Sequence, residues 1–392
     1  MVCELKKYID KIYPQLVEYR RYFHTYPELG TLEFKTSEFI QKKLKDWSIP
    51  YTKVFNTGIV AYIEGVKDSY DKPKVIGIRA DMDALPIEEE NEVTYRSKHP
   101  GLMHACGHDG HMAILLGLVQ LIKESKRNFA GKVVFIFQPN EESLGGAKTM
   151  IEEYDFSDVD LFFGFHLDNL YPTGTIGIKS GYFSGNTDDL EITIIGKGGH
   201  AAYPHLAIDP VVTAASLIQN LQVVVSRLID PFEPVALTFG KISGGSKHNI
   251  IPPEVKLLGT LRTMSDKVRS NSLEKIRDIC QGISIASGAH IDIQHTPGYP
   301  SIYNNPQLSS EVYDYLKDIF GKEKVVEANL GLGGEDFAYF CKVSPALYYL
   351  IGSAFANQER VFPHHHPRFD IDEESLHMGL YSISSILFHY LK

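Results

Sequence analysis

The residues best suited to chemistry lie between His104 and His111 and read His-Ala-Cys-Gly-His-Asp-Gly-His. This stretch places three imidazoles, one thiol and one carboxylate within eight positions. A Cys and a His two positions apart can reach one ion from a turn, and thiolate and imidazole together suit Zn²⁺ and other borderline divalent metals. An isolated stretch of this kind is more often the start of a helix with one buried cysteine.

Further acidic and imidazole groups follow three predicted strands, at residues 75–78, 133–137 and 161–165. They are, in order, Asp81 and Asp83, Glu141 and Glu142, and His166. In open α/β sheets, ligands bind in the crevice at the carboxyl ends of the strands. Side chains that leave several strands at that edge would meet in one cleft, whereas chance would scatter them over both edges. The strand ends therefore favour a metal site.

Glu141 and Glu142 are neighbours, so in an extended segment their side chains point in different directions. One carboxylate can then bind a metal while the other accepts a proton from water that the metal activates, as hydrolysis requires. The same pair also fits a solvated acidic loop after a strand.

A rigid loop far along the chain, residues 363–367, reads Pro-His-His-His-Pro. One of His364, His365 and His366 is a candidate ligand, and the other two fit polar loop positions. Spacing in the sequence does not choose among them.

A third group of candidates lies between these segments. His200 follows Gly-Lys-Gly-Gly after a predicted strand, and the absence of the GxGxxG order argues against a dinucleotide site. Asn249 precedes Ile-Ile-Pro, and Arg262 ends another predicted strand. The three could form a polar set for an oxyanion and a carboxylate, although each alone is more often a surface or turn residue.

The elements that must position these residues change order twice along the chain. Up to about residue 180, strand-like and helical segments alternate as in an α/β sheet. Between about residues 188 and 296 the order is strand, helix, strand, strand, helix, strand, which is typical of a ferredoxin-like α+β unit. We predict an α/β domain of residues 1–184 and 299–392, with a domain of residues 185–298 inserted and hinged near 181–187 and 297–300.

Composition narrows the class of partner. The chain has 43% hydrophobic and 22% charged residues, as an ordinary globular protein does, and its net charge of -10 argues against nucleic acid or an anionic membrane surface. No apolar run approaches the ~20 residues that span a bilayer, and the start lacks a signal-peptide core. We expect a cytoplasmic protein with a small-molecule partner. The four cysteines are scattered, so disulfides are not expected.

Taken together, the motifs resemble the dinuclear metallopeptidase family that includes aminoacylases, carboxypeptidases and peptidase T. The resemblance is closer to the amidohydrolase branch, with hippurate hydrolase, N-acyl-L-amino acid amidohydrolases, N-acetyldiaminopimelate deacetylase and auxin-conjugate hydrolases. The matching motifs span nearly the whole chain: His24-x-x-Pro-Glu28, Arg79-Ala-Asp-Met-Asp83-Ala-Leu-Pro86, Met103-His-Ala-Cys-Gly-His-Asp-Gly-His111, Gln138-Pro-x-Glu-Glu142, Gly164-x-His166, Gly196-Lys-Gly-Gly-His200-Ala, Gly333-Gly-Glu-Asp-Phe337 and His365-x-Pro367.

The resemblance implies a mixed-sheet, zinc-peptidase-like catalytic domain whose inserted domain serves as lid and dimerisation domain. It implies Glu141 as the general base and five metal ligands. These ligands are Cys106, His108, Glu142, His166 and His365. In related dimers a histidine like His200 reaches into the partner's active site and stabilises the oxyanion. Asn249 and Arg262, thirteen residues apart, resemble a pair that holds the α-carboxylate of the substrate.

The chain departs from the wider family at one motif. That family has His-x-Asp where this sequence reads Asp81-Met82-Asp83, so the thiolate of Cys106 is expected to take over a coordination site. Asp83 is then expected in the catalytic group next to the ligands rather than on a metal.

The activity implied by the resemblance is hydrolysis of N-acyl amino acids, of acetyl or benzoyl type, to a carboxylic acid and a free amino acid. Two divalent cations, which could be Zn²⁺, Mn²⁺, Co²⁺ or Ni²⁺, would activate the attacking water. The resemblance also implies a homodimer or a higher homo-oligomer. Three alternatives stay open. One is an exopeptidase or dipeptidase at the same metal site, another is a hydrolase with Cys106 as nucleophile and His108 or His111 as base, and the third is a non-catalytic sensor of acylated metabolites.

Overall fold

The chain forms two compact units in a computed structural model that describes residues 2–67, 72–125, 128–143, 145–329 and 331–391, with side chains from Leu5 onward. The first unit comprises Met1–Phe183, Ile302–Asn329 and Asp336–Lys392, and the second comprises Ser184–Ser301 and Leu330–Glu335. The predicted domain boundaries, after residues 184 and 298, lie close to the two ends of the segment Ser184–Ser301. The prediction did not assign the short segment Leu330–Glu335 to the second unit.

The strands, in chain order, are β1 Tyr51–Val54, β2 Gly58–Glu64, β3 Val75–Asp81, β4 Lys132–Gln138, β5 Leu161–Pro172, β6 Ile176–Ile178, β7 Gly181–Tyr182, β8 Asn186–Ile195, β9 Gly199–His200, β10 Val235–Ser243, β11 Ile250–Ile251, β12 Glu254–Thr263, β13 His290–Pro297, β14 Tyr303–Asn304, β15 Val325–Glu327 and β16 Ala346–Ala354. The α-helices are α1 Val2–Thr25, α2 Phe34–Asp46, α3 His108–Glu124, α4 Ala147–Glu153, α5 Pro210–Val223, α6 Asp266–Ser287, α7 Pro306–Phe320 and α8 Glu374–Tyr390.

An eight-stranded mixed sheet organises the first unit, with strand order β1-β2-β4-β3-β5-β16-β6-β15. The central strands β4, β3, β5 and β16 run parallel, while β1, β2 and β6 supply antiparallel pairs. Strand β16 is buried at every position, as expected for a parallel strand covered on both faces. Helices α1, α3 and α8 pack together over one face. Because the central strands are parallel, their carboxyl ends lie at a single edge of the sheet. The α/β prediction is confirmed.

Two predicted strand ends are wrong by several residues. β3 continues to Asp81, and β5 continues through His166 to Pro172, so His166 lies within its strand rather than just after it. The reason is pairing: β16 lies parallel to β5, with Leu350 opposite His166, and supplies hydrogen bonds well beyond Phe165.

The second unit is a four-stranded antiparallel sheet of order β10-β12-β8-β13 with helices α5 and α6. Along the chain the order is β8-α5-β10-β12-α6-β13, the predicted ferredoxin-like arrangement. Alternate residues of β8 are buried, as in a sheet with helices on one face. Asp209 caps the start of α5, and Ser265 caps α6, which ends at Gly288 with φ 74°.

One helical stretch in the described part of the chain, Pro210–Leu228, is long and apolar enough to cross a membrane by length and composition. This is weak evidence, because core helices pass the same test. Leu217 and Leu221 are buried in the core of the second unit, whereas Val211 and Val212 are exposed.

Candidate metal centre

The five predicted ligands come together in the first unit. Cys106 and His108 stand at the start of α3, where Gly107 has φ 92°, a left-handed conformation that suits glycine. Ligand atoms of Cys106, His108 and His166 all lie within 4.8 Å of one another, and so do those of Cys106, Glu142 and His365. Cys106 therefore belongs to both groups of ligands.

Two buried atoms in these groups have no hydrogen-bond partner among the described residues. They are His108 Nε2 and Glu142 Oε1, 3.8 Å apart. The other ring nitrogen of His108, Nδ1, donates to the backbone oxygen of Asp83 at 2.9 Å, so Nε2 carries a lone pair toward the cluster. Leaving such atoms unpaired is costly unless a cation accepts their lone pairs. The residues present thus fit a metal ion.

The charges around Cys106 lead to the same conclusion. Burial, and then the nearby carboxylates of Glu142 and Glu141, raise the pKa of the Cys106 thiol well above its usual value. Burial opposes ionisation of Glu142 too, but the imidazole of His365 beside its carboxylate and the charge of His108 lower its pKa to about 2. The Cys106 thiol and the two glutamate carboxylates can be ionised together only if positive charge lies beside them, and bound cations would supply that charge.

Asp83 acts on the backbone of the acidic pair. Its Oδ1 accepts the N–H of Glu141 at 3.0 Å, and its Oδ2 accepts the N–H of Glu142 at 2.9 Å. Carboxylate oxygens of both glutamates lie within 4.8 Å of a ring nitrogen of His108. Asp83 is thus placed to fix the turn that carries both glutamates.

The structure discriminates among the imidazoles that spacing left open. His365 Nε2 lies 3.3 Å from Glu142 Oε1, whereas His364 Nε2 lies 3.0 Å from the backbone oxygen of Leu167. His111 uses both ring nitrogens: Nδ1 donates to Asp81 at 2.6 Å, and Nε2 accepts the N–H of Leu167 at 2.9 Å. His111 is therefore committed to holding β5 beside His166.

A buried ion network behind the site was not found from the sequence. Arg20 of α1 is fully buried and donates to Asp109 at 2.8 Å and to Asp370 at 2.6 Å. His24 also lies 2.7 Å from Asp109. The network joins Asp109, the residue after the candidate ligand His108, to the loop that contains His365. The motif that begins at His24 was the available signal, but it carries no indication of a partner.

We expect Arg20→Met to lower the free energy of unfolding by about 3 kcal/mol, because two buried carboxylates lose their counter-charge. Arg21→Met is the matched control: Arg21 pairs with Glu373 but is 46% exposed, so its loss should cost less than ~1 kcal/mol. Urea unfolding measures both. Equal losses for the two variants would contradict a special role for the buried pair.

In the second unit, the structure brings His200 and Asn249 together but not Asn249 and Arg262. His200 on β9 pairs with Ile250 on β11, directly after Asn249. Arg262 lies near the far end of β12, opposite Thr187. Glu254, where β12 begins, is eight residues from Arg262, a distance of about 26 Å along a strand. Asn249, which precedes β11, and Arg262 therefore lie toward opposite ends of β12, and their joint binding of one carboxylate stays a prediction.

His200 is exposed, and its Nδ1 accepts the N–H of Ala202 at 3.1 Å. A ring nitrogen that accepts carries no proton, so the neutral ring has its N–H on Nε2. His200 can thus donate a hydrogen bond through Nε2.

The candidate ligand groups and the neighbouring acid lie in a unit built on a mixed sheet, and the comparisons with known proteins identify the chain as a metal-dependent hydrolase that acts on amide bonds. The model of Peptidase family M20/M25/M40 matches residues 77–389, and the chain belongs to this family.

Three similar proteins illustrate the range of the family. N-acetyl-L-cysteine deacetylase of Bacillus subtilis is 38% identical over 92% of this chain and 85% of its own length. Thermostable carboxypeptidase 1 of Saccharolobus solfataricus is 35% identical over 97% and 96%. The crystal structure of Bacillus subtilis YXEP, a dinuclear metal-binding peptidase of the M20 family, has TM-score 0.84 and 31% identity over 97% and 99%.

Proposed function

We propose that the protein is an amidohydrolase that cleaves N-acyl amino acids, of acetyl or benzoyl type, to a carboxylic acid and a free amino acid. The observation that carries the proposal is the position of Glu141, a buried acid whose carboxylate lies within 4.8 Å of ligand atoms of His108 and Glu142, one from each of the two groups. The similarity to a deacetylase of an N-acetyl amino acid supports the substrate class.

We propose two divalent cations, one held by Cys106, His108 and His166 and one by Cys106, Glu142 and His365. The mixture of thiolate, imidazole and carboxylate accepts Zn²⁺, Mn²⁺, Co²⁺ or Ni²⁺. Such ions lower the pKa of water and polarise a carbonyl group.

The residues of the chain supply the remaining steps of the proposed mechanism. Glu141 accepts the proton of the attacking water and returns it to the leaving amine. His200 donates its Nε2 hydrogen to the oxyanion that develops on the amide carbonyl. Asp83 keeps Glu141 and Glu142 in register through their backbone N–H groups. Asn249 and Arg262, at separate ends of the second unit, would bind the α-carboxylate from two different protomers.

An exopeptidase on the same residues is the second candidate, because the chain is also 35% identical to a carboxypeptidase. The two activities differ in the group that the acyl side of the pocket admits, which a few side chains can change. Chemistry with Cys106 as nucleophile is disfavoured, since reactive thiols occupy electropositive surroundings and this one lies among carboxylates.

We propose a homodimer formed through the second unit. Strand β10 is an edge of its sheet, and large apolar side chains near it are exposed, including Phe232 at 94% and Ile242 at 60%. Exposed edges and apolar patches of this kind are typical of association surfaces. A small-molecule substrate, no nucleic-acid or membrane partner and a cytoplasmic location complete the proposal.

The decisive experiment is an assay of N-acetyl and N-benzoyl amino acids and of dipeptides, before and after chelation. We expect hydrolysis of the N-acyl amino acids, complete loss with a chelator, and recovery with one of the four metals. Mass spectrometry of the protein during turnover is the second measurement. Indifference to the chelator together with an acyl adduct on Cys106 would overturn the metal mechanism, and hydrolysis of dipeptides alone would favour the exopeptidase.

A further inference from the structure

The turn that carries Glu141 is held by two buried carboxylates, and the mechanism above uses only one of them. Asp83 accepts the N–H groups of Glu141 and Glu142. The N–H of the preceding residue, Asn140, donates to Glu33 Oε1 at 2.9 Å. Three consecutive backbone N–H groups therefore end on two carboxylates, and Glu33 has no other assigned role.

The backbone of Asn140 is in a conformation that needs support. Its φ is 61°, in the left-handed region that residues other than glycine adopt only when their surroundings hold them there. The segment of Glu33 supplies a second restraint, because a Cβ at Gly30 would overlap Asn140 Oδ1 and lie 3.1 Å from Asn140 Cα. The segment between Gly30 and Glu33 thus packs directly against this turn.

Burying the carboxyl group of Glu33 at this position is energetically unfavourable. It is fully buried, and burial together with the charge of Asp83 raises its pKa to about 7, although hydrogen bonds from Thr57 and Asn140 oppose the rise. Its second oxygen, Oε2, accepts the hydroxyl of Thr57 at 2.7 Å. A buried acid with one bond to the turn and one to a core hydroxyl allows the two contacts to be removed separately.

We propose that Glu33 is a positioning residue for the hydrolysis: its buried oxygen holds the Asn140 amide and thereby fixes the direction in which Glu141 leaves the turn. The proposal rests on the proposed role of Glu141 as general base. It requires a hydrogen-bond acceptor at position 33 rather than a charge. Gln can supply that acceptor through its amide oxygen while its NH₂ group donates to Thr57, whereas Met cannot.

The test compares Glu33→Met, Glu33→Gln and the matched control Thr57→Val, which removes the bond to the other oxygen of the same carboxyl. Glu33→Met should lower kcat about 10-fold to 100-fold and leave KM within about threefold, because a small displacement of a catalytic group affects the reaction rather than binding. Glu33→Gln and Thr57→Val should stay within about threefold of the native kcat. Hydrogen exchange of the Asn140 amide, measured without substrate, should accelerate only in Glu33→Met.

Thermal unfolding separates positioning from general support. If Thr57→Val and Glu33→Met lose stability and kcat in parallel, Glu33 is merely structural and the proposal is wrong. It is equally wrong if Glu33→Met keeps native kcat. Should Glu33→Met fail to fold, Gly30→Ala crowds Asn140 Oδ1 and Asn140 Cα and so disturbs the turn without touching the Glu33 carboxyl. Faster hydrogen exchange of the Asn140 amide together with native kcat in that variant would contradict the proposal.

The assay also distinguishes failure here from failure of the proposed function. A native protein that hydrolyses no N-acyl amino acid overturns the proposed function, whereas an active native protein with an unaffected Glu33→Met variant overturns only the role of Glu33.

Discussion

The Glu141→Gln variant should lose about 10³-fold in kcat on an N-acyl amino acid and keep its full metal content. Gln has nearly the same shape but cannot accept the proton of the attacking water. The five proposed ligands are other residues, and Asp83 accepts its hydrogen bond from the backbone N–H of residue 141, so the turn should stay in place. Loss of turnover without loss of metal is the signature of a base.

The measurements are kcat, KM and metal content of the purified protein. Glu152→Gln on α4 is a suitable control, because that carboxylate is 62% exposed and pairs only with Lys148 among the described residues. Activity of Glu141→Gln within about tenfold of native would show that the base is elsewhere. A variant that loses metal would show instead that Glu141 is a ligand.

The second large effect concerns His200. His200→Ala should lower kcat about 10²-fold to 10³-fold, the usual consequence of removing one oxyanion donor. If His200 serves the site of a partner chain, unfolded and refolded mixtures of His200→Ala and Glu141→Gln should recover about a quarter of native activity, since half of the dimers are mixed and each has one complete site.

Native mass spectrometry of the mixture shows whether mixed dimers form. His205→Ala is the control, because His205 is also exposed, five residues further along in the same unit. Mixed dimers without activity would place His200 and Glu141 of one chain in the same site. A fully active monomer would exclude the role in trans altogether.

The candidate metal site could be predicted from the sequence because parallel strands bring their carboxyl ends to one edge of a sheet. Acids and imidazoles near the ends of three predicted strands indicated the candidate site, although His166 lies within β5. The choice of His365 over His364 was not predictable from spacing: three adjacent imidazoles differ only in the direction given by the backbone, and φ at His365 is 64°. The resemblance supplied that choice, which stays a prediction; in the structure His365 Nε2 lies 3.3 Å from Glu142 Oε1.

Two features, helix α1 and the separation of Asn249 and Arg262, could not be predicted from the sequence, for different physical reasons. Helix α1 contains Pro14, which removes a backbone donor inside the helix, and only tertiary packing of residues such as Ile9, Leu16 and Phe23 makes a long helix favourable there. The distance between Asn249 and Arg262 depends on the direction of β12. A separation of thirteen residues in the sequence does not determine that direction.

The place of β16 in the sheet constrains how the protein is made. This strand inserts between β5 and β6 but comes after residue 345 of the chain, and His365 follows it. Until β16 has been synthesised, the middle of the sheet has a gap, and the candidate ligand His365 is also still missing. The nascent chain therefore exposes an open strand edge throughout most of its synthesis, which is a period of risk for aggregation.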